Sequence, residues 1–180
     1  MSEVRIRAAR PDDAAILAEM ANDLNAHVGI HDRPFTPERV RADGFGPEAA
    51  FTPIVAELDG VLVGYAFFEL LYNTDFAGPA MWLHDIFVAP SARDRGVGRA
   101  LMSAVAAETV RAGAKSLDWG VHDENKAAIE FYRGLGAHTQ MVRIMSVMGD
   151  RLHALAPTDL TQRAGGDDDG DSHGRSHRSS

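Results

Sequence analysis

The chain has 180 residues, with 26 Asp+Glu against 18 Lys+Arg and a formal net charge of −8. That length fits one domain at roughly 100–200 residues per domain, and the charge opposes the phosphate binding on which nucleic-acid proteins rely. A content of 45% hydrophobic and 24% charged residues excludes global disorder, and the absence of cysteine excludes disulfides, thiolate metal sites and a cysteine nucleophile.

The N-terminus, Met1-Ser2-Glu3-Val4-Arg5-Ile6-Arg7, has no apolar signal region. No apolar run approaches the roughly 18 residues of a membrane span. A cytoplasmic protein without membrane or nucleic-acid partners is expected.

Residues 4–7 alternate apolar and polar and predict a short strand. Pro11-Asp12-Asp13 then opens a helical run with Ile16, Leu17, Met20 and Leu24 on one face. Thr36 before Pro37 is an N-cap followed by a residue whose missing N–H costs nothing in the first turn, so a second helix is predicted over 37–42. Residues 51–58 and 61–71 are rich in Val, Ile, Phe and Tyr and are joined by Asp59-Gly60, a two-residue hairpin signal. A strand over 81–88 closes at Ala89-Pro90, and a helix over 98–112 ends at Gly113. A strand over 116–121, a helix over 126–135 and a final strand over 139–148 complete the order β-α-α-β-β-β-α-β-α-β. This pattern predicts an α/β (α+β) fold: a mixed, mostly antiparallel central sheet of six to seven strands with helices on both faces. Residues 1–160 form the single domain. Residues 161–180, a Gly/Asp run followed by Ser, His and Arg, have too little apolar surface to offset the entropy of ordering and predict a disordered tail, His173 and His177 included.

Two stretches suggest chemistry. Arg93-Asp94-Arg95-Gly96-Val97-Gly98-Arg99 lies between a strand and a helix. Its glycines allow close approach to free backbone N–H groups at the positive end of the helix dipole, which suits a pyrophosphate. A glycine turn with solvated arginines is the plainer alternative. No Gly-Lys-Ser/Thr of a P-loop is present, and Leu101 stands where a dinucleotide fingerprint needs Gly or Ala. The second stretch runs from Asn125, a helix cap, through Ala128, Phe131 and Tyr132 to Gly136. A Tyr on an apolar helix face is ordinarily a core residue with its hydroxyl satisfied.

Together the stretches resemble the GNAT superfamily of acyl-CoA-dependent N-acetyltransferases. Arg93, Gly96 and Gly98 match its Gln/Arg-x-x-Gly-x-Gly/Ala loop. Asn125, Ala128, Phe131, Tyr132 and Gly136 match its Asn-x-x-Ala-x-x-Phe-Tyr-x-x-x-Gly signature. Within it, the chain is similar to the diamine (spermidine/spermine) and thialysine acetyltransferase group, through Ala42-Asp43-Gly44-Phe45-Gly46, the Leu83-x-Asp85-x-Phe87-Val88 strand and Asn125 to Tyr132.

The resemblance implies acetyl transfer from acetyl-CoA to a primary amine of a small molecule (polyamine, thialysine or lysine-like), by direct attack in a ternary complex. It implies that Arg93, Asp94, Arg95, Gly96, Val97, Gly98 and Arg99 wrap the CoA pyrophosphate, and that the backbone of Ile86, Phe87 and Val88 pairs with the pantetheine arm. An N–H near Ile86 faces the thioester oxygen. Asn125 and Ala128 complete the cofactor site, and Tyr132, a phenol of pKa about 10, protonates the departing thiolate. The attacking amine, with a pKa of about 10.4, needs a base. The diamine group has a carboxylate where this chain has His84, an imidazole that serves as base but offers no fixed negative charge. An acidic substrate contact of that group is also replaced here, near His27. Both departures weaken the case for spermidine.

His27, His84, Asp85 and Trp119 are the substrate-binding candidates, with Asp85 expected on the opposite side of its strand from His84. His122-Asp123-Glu124 resembles a metal cluster on paper, but adjacent side chains rarely converge on one ion, and no metal is expected. The resemblance allows a homodimer, with 152–155 extending toward the partner. A non-catalytic acyl-CoA-binding module, an acetyltransferase for protein amino groups or an aminoglycoside, and a nucleotide-binding oxidoreductase stay open at this point.

Overall fold

The computed structural model describes residues 3–156, so the tail expected over 161–180 lies outside the described residues. Strand β1 (Val4–Ala8) leads through a 3-10 turn (Pro11–Asp13) into helix α1 (Ala14–His27), followed by α2 (Pro37–Gly44). Strands β2 (Thr52–Leu58), β3 (Val61–Asn73) and β4 (Gly78–Val88) come next, then α3 (Val97–Arg111), β5 (Leu117–Trp119), α4 (Lys126–Arg133) and α5 (Asp150–Leu155).

Local chemistry accounts for most of these boundaries. Thr36 caps α2 by accepting the Arg39 N–H at 3.2 Å, with Pro37 in the first turn. Asp59 and Gly60 both take positive φ, 53° and 81°, and turn β2 into β3 as a two-residue hairpin of opposite hand to an ordinary turn. On the first strand, Arg7 donates to Asp13 and Glu57, each at 2.7 Å, tying β1 to the turn after it and to β2.

The sheet order is β1-β2-β3-β4-β5. The first three pairings are antiparallel and β4 with β5 is parallel, so the mixed, mostly antiparallel sheet is present. Its two faces bury two separate cores. Ile54, Ala56, Ala66, Phe68, Met81 and Leu83 pack under Val97, Leu101 and Val105 of α3. Val55, Tyr65, Phe67 and Phe87 pack under Leu17, Ala18 and Ala21 of α1 and Val40 of α2.

The strand count is five among the described residues, and the final strand expected over 139–148 does not form. Its apolar residues fall in adjacent pairs, Met141-Val142, Ile144-Met145 and Val147-Met148, so neither face of an extended chain is purely apolar. All six side chains are exposed, Met145 at 87%. The described residues divide into a compact unit ending at Ala137 and a second beginning at His138, which holds α5. Every residue of the site described below belongs to the first.

Gly64 shows how closely the layers approach. A Cβ there would lie 2.6 Å from the Phe87 carbonyl oxygen of β4 and 3.3 Å from Leu101 of α3. Backbone cannot yield as a flexible side chain does, so Gly64→Ala is expected to destabilise the fold by about 1–3 kcal/mol through overpacking. Thermal unfolding should register this as a loss of roughly 2–4 °C per kcal/mol.

Candidate active site

The site begins with an irregularity in β4. Phe67 of β3 pairs with Asp85 and the next residue, Phe68, pairs with Leu83, so His84 is an extra residue in the ladder. A bulge of this kind shifts the side-chain alternation by one. Before it, Met81 and Leu83 face α3; after it, Ile86 and Val88 face α3 while Phe87 faces α1. His84 and Asp85 therefore share one side, and both line the same cavities. This corrects the expectation that Asp85 points away from His84, since a strict period of two holds only along an unbroken strand.

The larger cavity, of about 510 Å³, lies on the α1 side. Phe35, Phe51 and Phe67 form aromatic walls, Asn25 comes from the end of α1, and Glu69, His84 and Asp85 supply the titratable groups. Glu69 sits opposite Trp82 across the β3–β4 ladder, so its side chain shares a face with His84 two residues further along β4. Its Oε1 lies 3.0 Å from His84 Nε2, and both side chains are open to water. Deeper in, the Tyr65 hydroxyl donates to Asp85 Oδ2 at 3.4 Å. Burial raises the Asp85 carboxyl above the ordinary range, against the opposing pulls of His84 and the Tyr65 hydrogen bond. The Tyr65 phenol is also pushed up, by burial first and then by the Asp85 charge.

A second cavity of about 220 Å³ adjoins the first, sharing Asn25, His84 and Asp85. It opens where β4 and β5 part: their pairing spans only Met81↔Leu117 to Leu83↔Trp119, while β4 runs on to Val88. Ile86 lines it from β4, Trp119 from the end of β5, and Asn125, Ala128 and Tyr132 from α4 and its cap. Tyr132 packs against Trp119, ring centroids 5.0 Å apart, and burial raises its phenol above the usual range. Asn125 also caps α4, accepting the Ala128 N–H at 3.1 Å.

Beside this opening, Arg93–Arg99 leads into α3. Asp94 and Gly96 take positive φ, 59° and 81°, and Gly96 is the N-cap. The first N–H groups of the helix have no acceptor within it. Val97 is buried in the core, which leaves only its backbone to the loop. Gly98 has the Phe131 ring 3.3 Å from the place of a Cβ. Arg93 Nε reaches the Val88 carbonyl at 3.4 Å, joining loop to strand. Backbone donors at a helix start beside an unpaired strand edge fit a pyrophosphate with an extended arm attached.

Two expected substrate contacts are placed differently. His27 is exposed and lines neither cavity; Asn25, two positions earlier and so about 200° around the helix, faces both instead. Trp119 lines the smaller cavity with Tyr132 and not the larger one. Glu69 was not anticipated, although a lone carboxylate within the apolar run 65–72 is a visible signal. Among the described residues no group of His, Asp and Glu is arranged to hold a metal, the triplet His122-Asp123-Glu124 included.

Residues 14–137 match the Acetyltransferase (GNAT) family. This chain belongs to that family. It is 32% identical over 146 residues to the thialysine N-epsilon-acetyltransferase of Mus musculus, covering 76% of this chain and 85% of the relative. An L-ornithine N5-acetyltransferase of Arabidopsis thaliana is 34% identical over 98 residues, 54% of this chain and 43% of that protein. The fold matches that of an integron cassette protein of V. cholerae with a TM-score of 0.71 at 22% identity, covering 84% of this chain and 96% of that one. The GNAT chain is thus an N-acetyltransferase, with the expected mixed sheet and helices but five strands among the described residues in place of six to seven.

Burial of Asp85 has a consequence for stability. Its carboxyl is raised in the folded state, so the fold binds the proton more tightly than the unfolded chain and loses stability as pH rises from about 3.9 through the raised value. Asp85→Asn, which still accepts from Tyr65, should be more stable than the parent at neutral pH. That gain should vanish near pH 3, where both states of Asp85 are protonated, as denaturant unfolding at a series of pH values will record.

Proposed function

We propose that this GNAT protein transfers an acetyl group from acetyl-CoA to a primary amine of a small molecule, of the lysine-like, thialysine or polyamine kind, by direct attack. The observation that carries this reading is the meeting of two cavities at His84–Asp85, one leading to Tyr132 and the unpaired edge of β4, the other walled by aromatic rings and carboxylates. No Lys or Arg lines either cavity, which suits an acceptor that arrives as an ammonium on an alkyl stem. The two named relatives act, by their names, on thialysine and L-ornithine, and that supports an amino acid with a second amine as acceptor.

Acetyl-CoA supplies an activated thioester. Arg93 to Arg99 would hold its pyrophosphate through the N–H groups at the start of α3, and the edge of β4 at Ile86–Val88 would receive the pantetheine arm as a strand receives a neighbour. A β4 N–H beside the bulge is then available to the thioester oxygen, where preorganised donors stabilise developing negative charge.

His84 accepts one proton from the acceptor ammonium. The freed nitrogen forms its bond to the acyl carbon as the carbon–sulfur bond breaks. The sulfur takes the Tyr132 proton, the acetylated nitrogen sheds its surplus proton to the phenolate, and the imidazolium returns its own to water. A phenol of pKa about 10 is protonated at neutral pH, and burial raises that of Tyr132 further, so it carries the proton that the thiolate takes.

The test is thiol release with acetyl-CoA against thialysine, lysine, ornithine, spermidine, an aminoglycoside and a short peptide. Turnover is expected on an amino acid or polyamine. Tyr132→Phe should lower kcat by about 10²–10⁴-fold, the usual range for a lost general acid, with little change in the KM for acetyl-CoA. Calorimetric binding of acetyl-CoA without turnover on any small amine would overturn the reading, and preference for the peptide or aminoglycoside would replace its acceptor.

A further inference from the structure

The acceptor cavity holds a carboxylate–imidazole pair that neither sequence motif contains. Glu69 comes from β3 and His84 from β4, and the register that sets Glu69 opposite Trp82 brings Oε1 and Nε2 to 3.0 Å. The 3.0 Å separation is an ion-pair contact, and because a carboxylate can only accept, a hydrogen bond made between these two atoms is one the imidazole donates. In a neutral imidazole one ring nitrogen donates and the other accepts, and the bond made by one decides the role of the other.

We propose that Glu69 is the positioning residue of this site: its carboxylate holds His84 as the tautomer protonated on Nε2, leaving the Nδ1 lone pair to take the proton of the acceptor ammonium. The role rests on the reading of His84 as the base. Glu69 also supplies the charge that His84 by itself lacks. When Nδ1 is protonated, the imidazolium forms beside a carboxylate that stabilises it, so the proton transfer does not leave an isolated cation in the cavity. The pair is reached by water, as a base that returns its proton to solvent must be. The other titratable groups around His84 are Asp85 on its own strand, Tyr65 of β3 behind Asp85, Tyr132 of α4, and His122 after β5; α1 contributes the neutral Asn25. Of these, Glu69 is the one paired with the imidazole itself.

Nitrogen-15 spectra of labelled histidine in the full chain test the pair without reference to activity. The chain has eight histidines, so the His84 signals are those missing from His84→Ala. At alkaline pH the parent should show His84 protonated on Nε2, while Glu69→Leu and Glu69→Gln should each show a mixture of tautomers, since the Gln amide can accept from or donate to the ring nitrogen. In thiol release with the best acceptor, Glu69→Leu should lower kcat/KM by roughly 10–100-fold, as loss of a carboxylate that orients a functional histidine does. Glu69→Gln should lose less. In a His84→Ala background Glu69→Leu should cost almost nothing further, because its effect passes through the imidazole.

Turnover with an unchanged His84 tautomer in Glu69→Leu, or equal losses in both backgrounds, would overturn the positioning role while the acetyl transfer stands. Absence of turnover on every amine would overturn the acetyl-transfer reading and the role given to Nδ1, even as the spectra report the pair.

Discussion

One extra residue in β4 reverses the strand's alternation, and the layout of the site follows from that reversal. With Phe67 opposite Asp85 and Phe68 opposite Leu83, the ladder leaves His84 unmatched. Leu83 is still in the core beneath α3, while Phe87 has already moved to the core beneath α1. Two neighbouring side chains of different chemistry are thereby delivered to one cavity, which a regular strand cannot do. The bulge also lies just past the last pair between β4 and β5, Leu83↔Trp119. The sheet opens and the strand shifts its alternation at the same place.

Burial then sorts the titratable groups by depth. Tyr132, against Trp119, and Asp85, beneath the Tyr65 hydroxyl, are sheltered and held in their protonated forms over a wider pH range than in water. His84 and Glu69 are open to water. In the proposed reaction the acid is therefore the sheltered group and the base the open one. The two groups come from different layers, Tyr132 from α4 and His84 from β4, and Phe35, Phe51 and Phe67 give the larger cavity its apolar walls.

Much of the fold was legible because its signals are local. The Thr36-Pro37 cap, the Asp59-Gly60 turn, the glycines before α3 and the Asn125 cap each depend on the conformations of a few adjacent residues, and each stands where the sequence puts it. The run 139–148 misled because composition favours a strand while its doubled apolar residues provide no single face to bury. His27 misled by two positions on a helix, enough to exchange an exposed side chain for Asn25 in the cavity.

The sequence by itself determined the alternating elements, the backbone donors at the start of α3, the Tyr132 helix and the family, since each is written within a short window of chain. Only the tertiary structure decided that Asp85 joins His84, that Glu69 reaches the imidazole from another strand, and that β4 and β5 part at Leu83. These depend on strand register. A one-residue shift in register exchanges the two faces of a strand, and the shift at His84 arises from how β3 and β4 meet, which no local window of either strand contains.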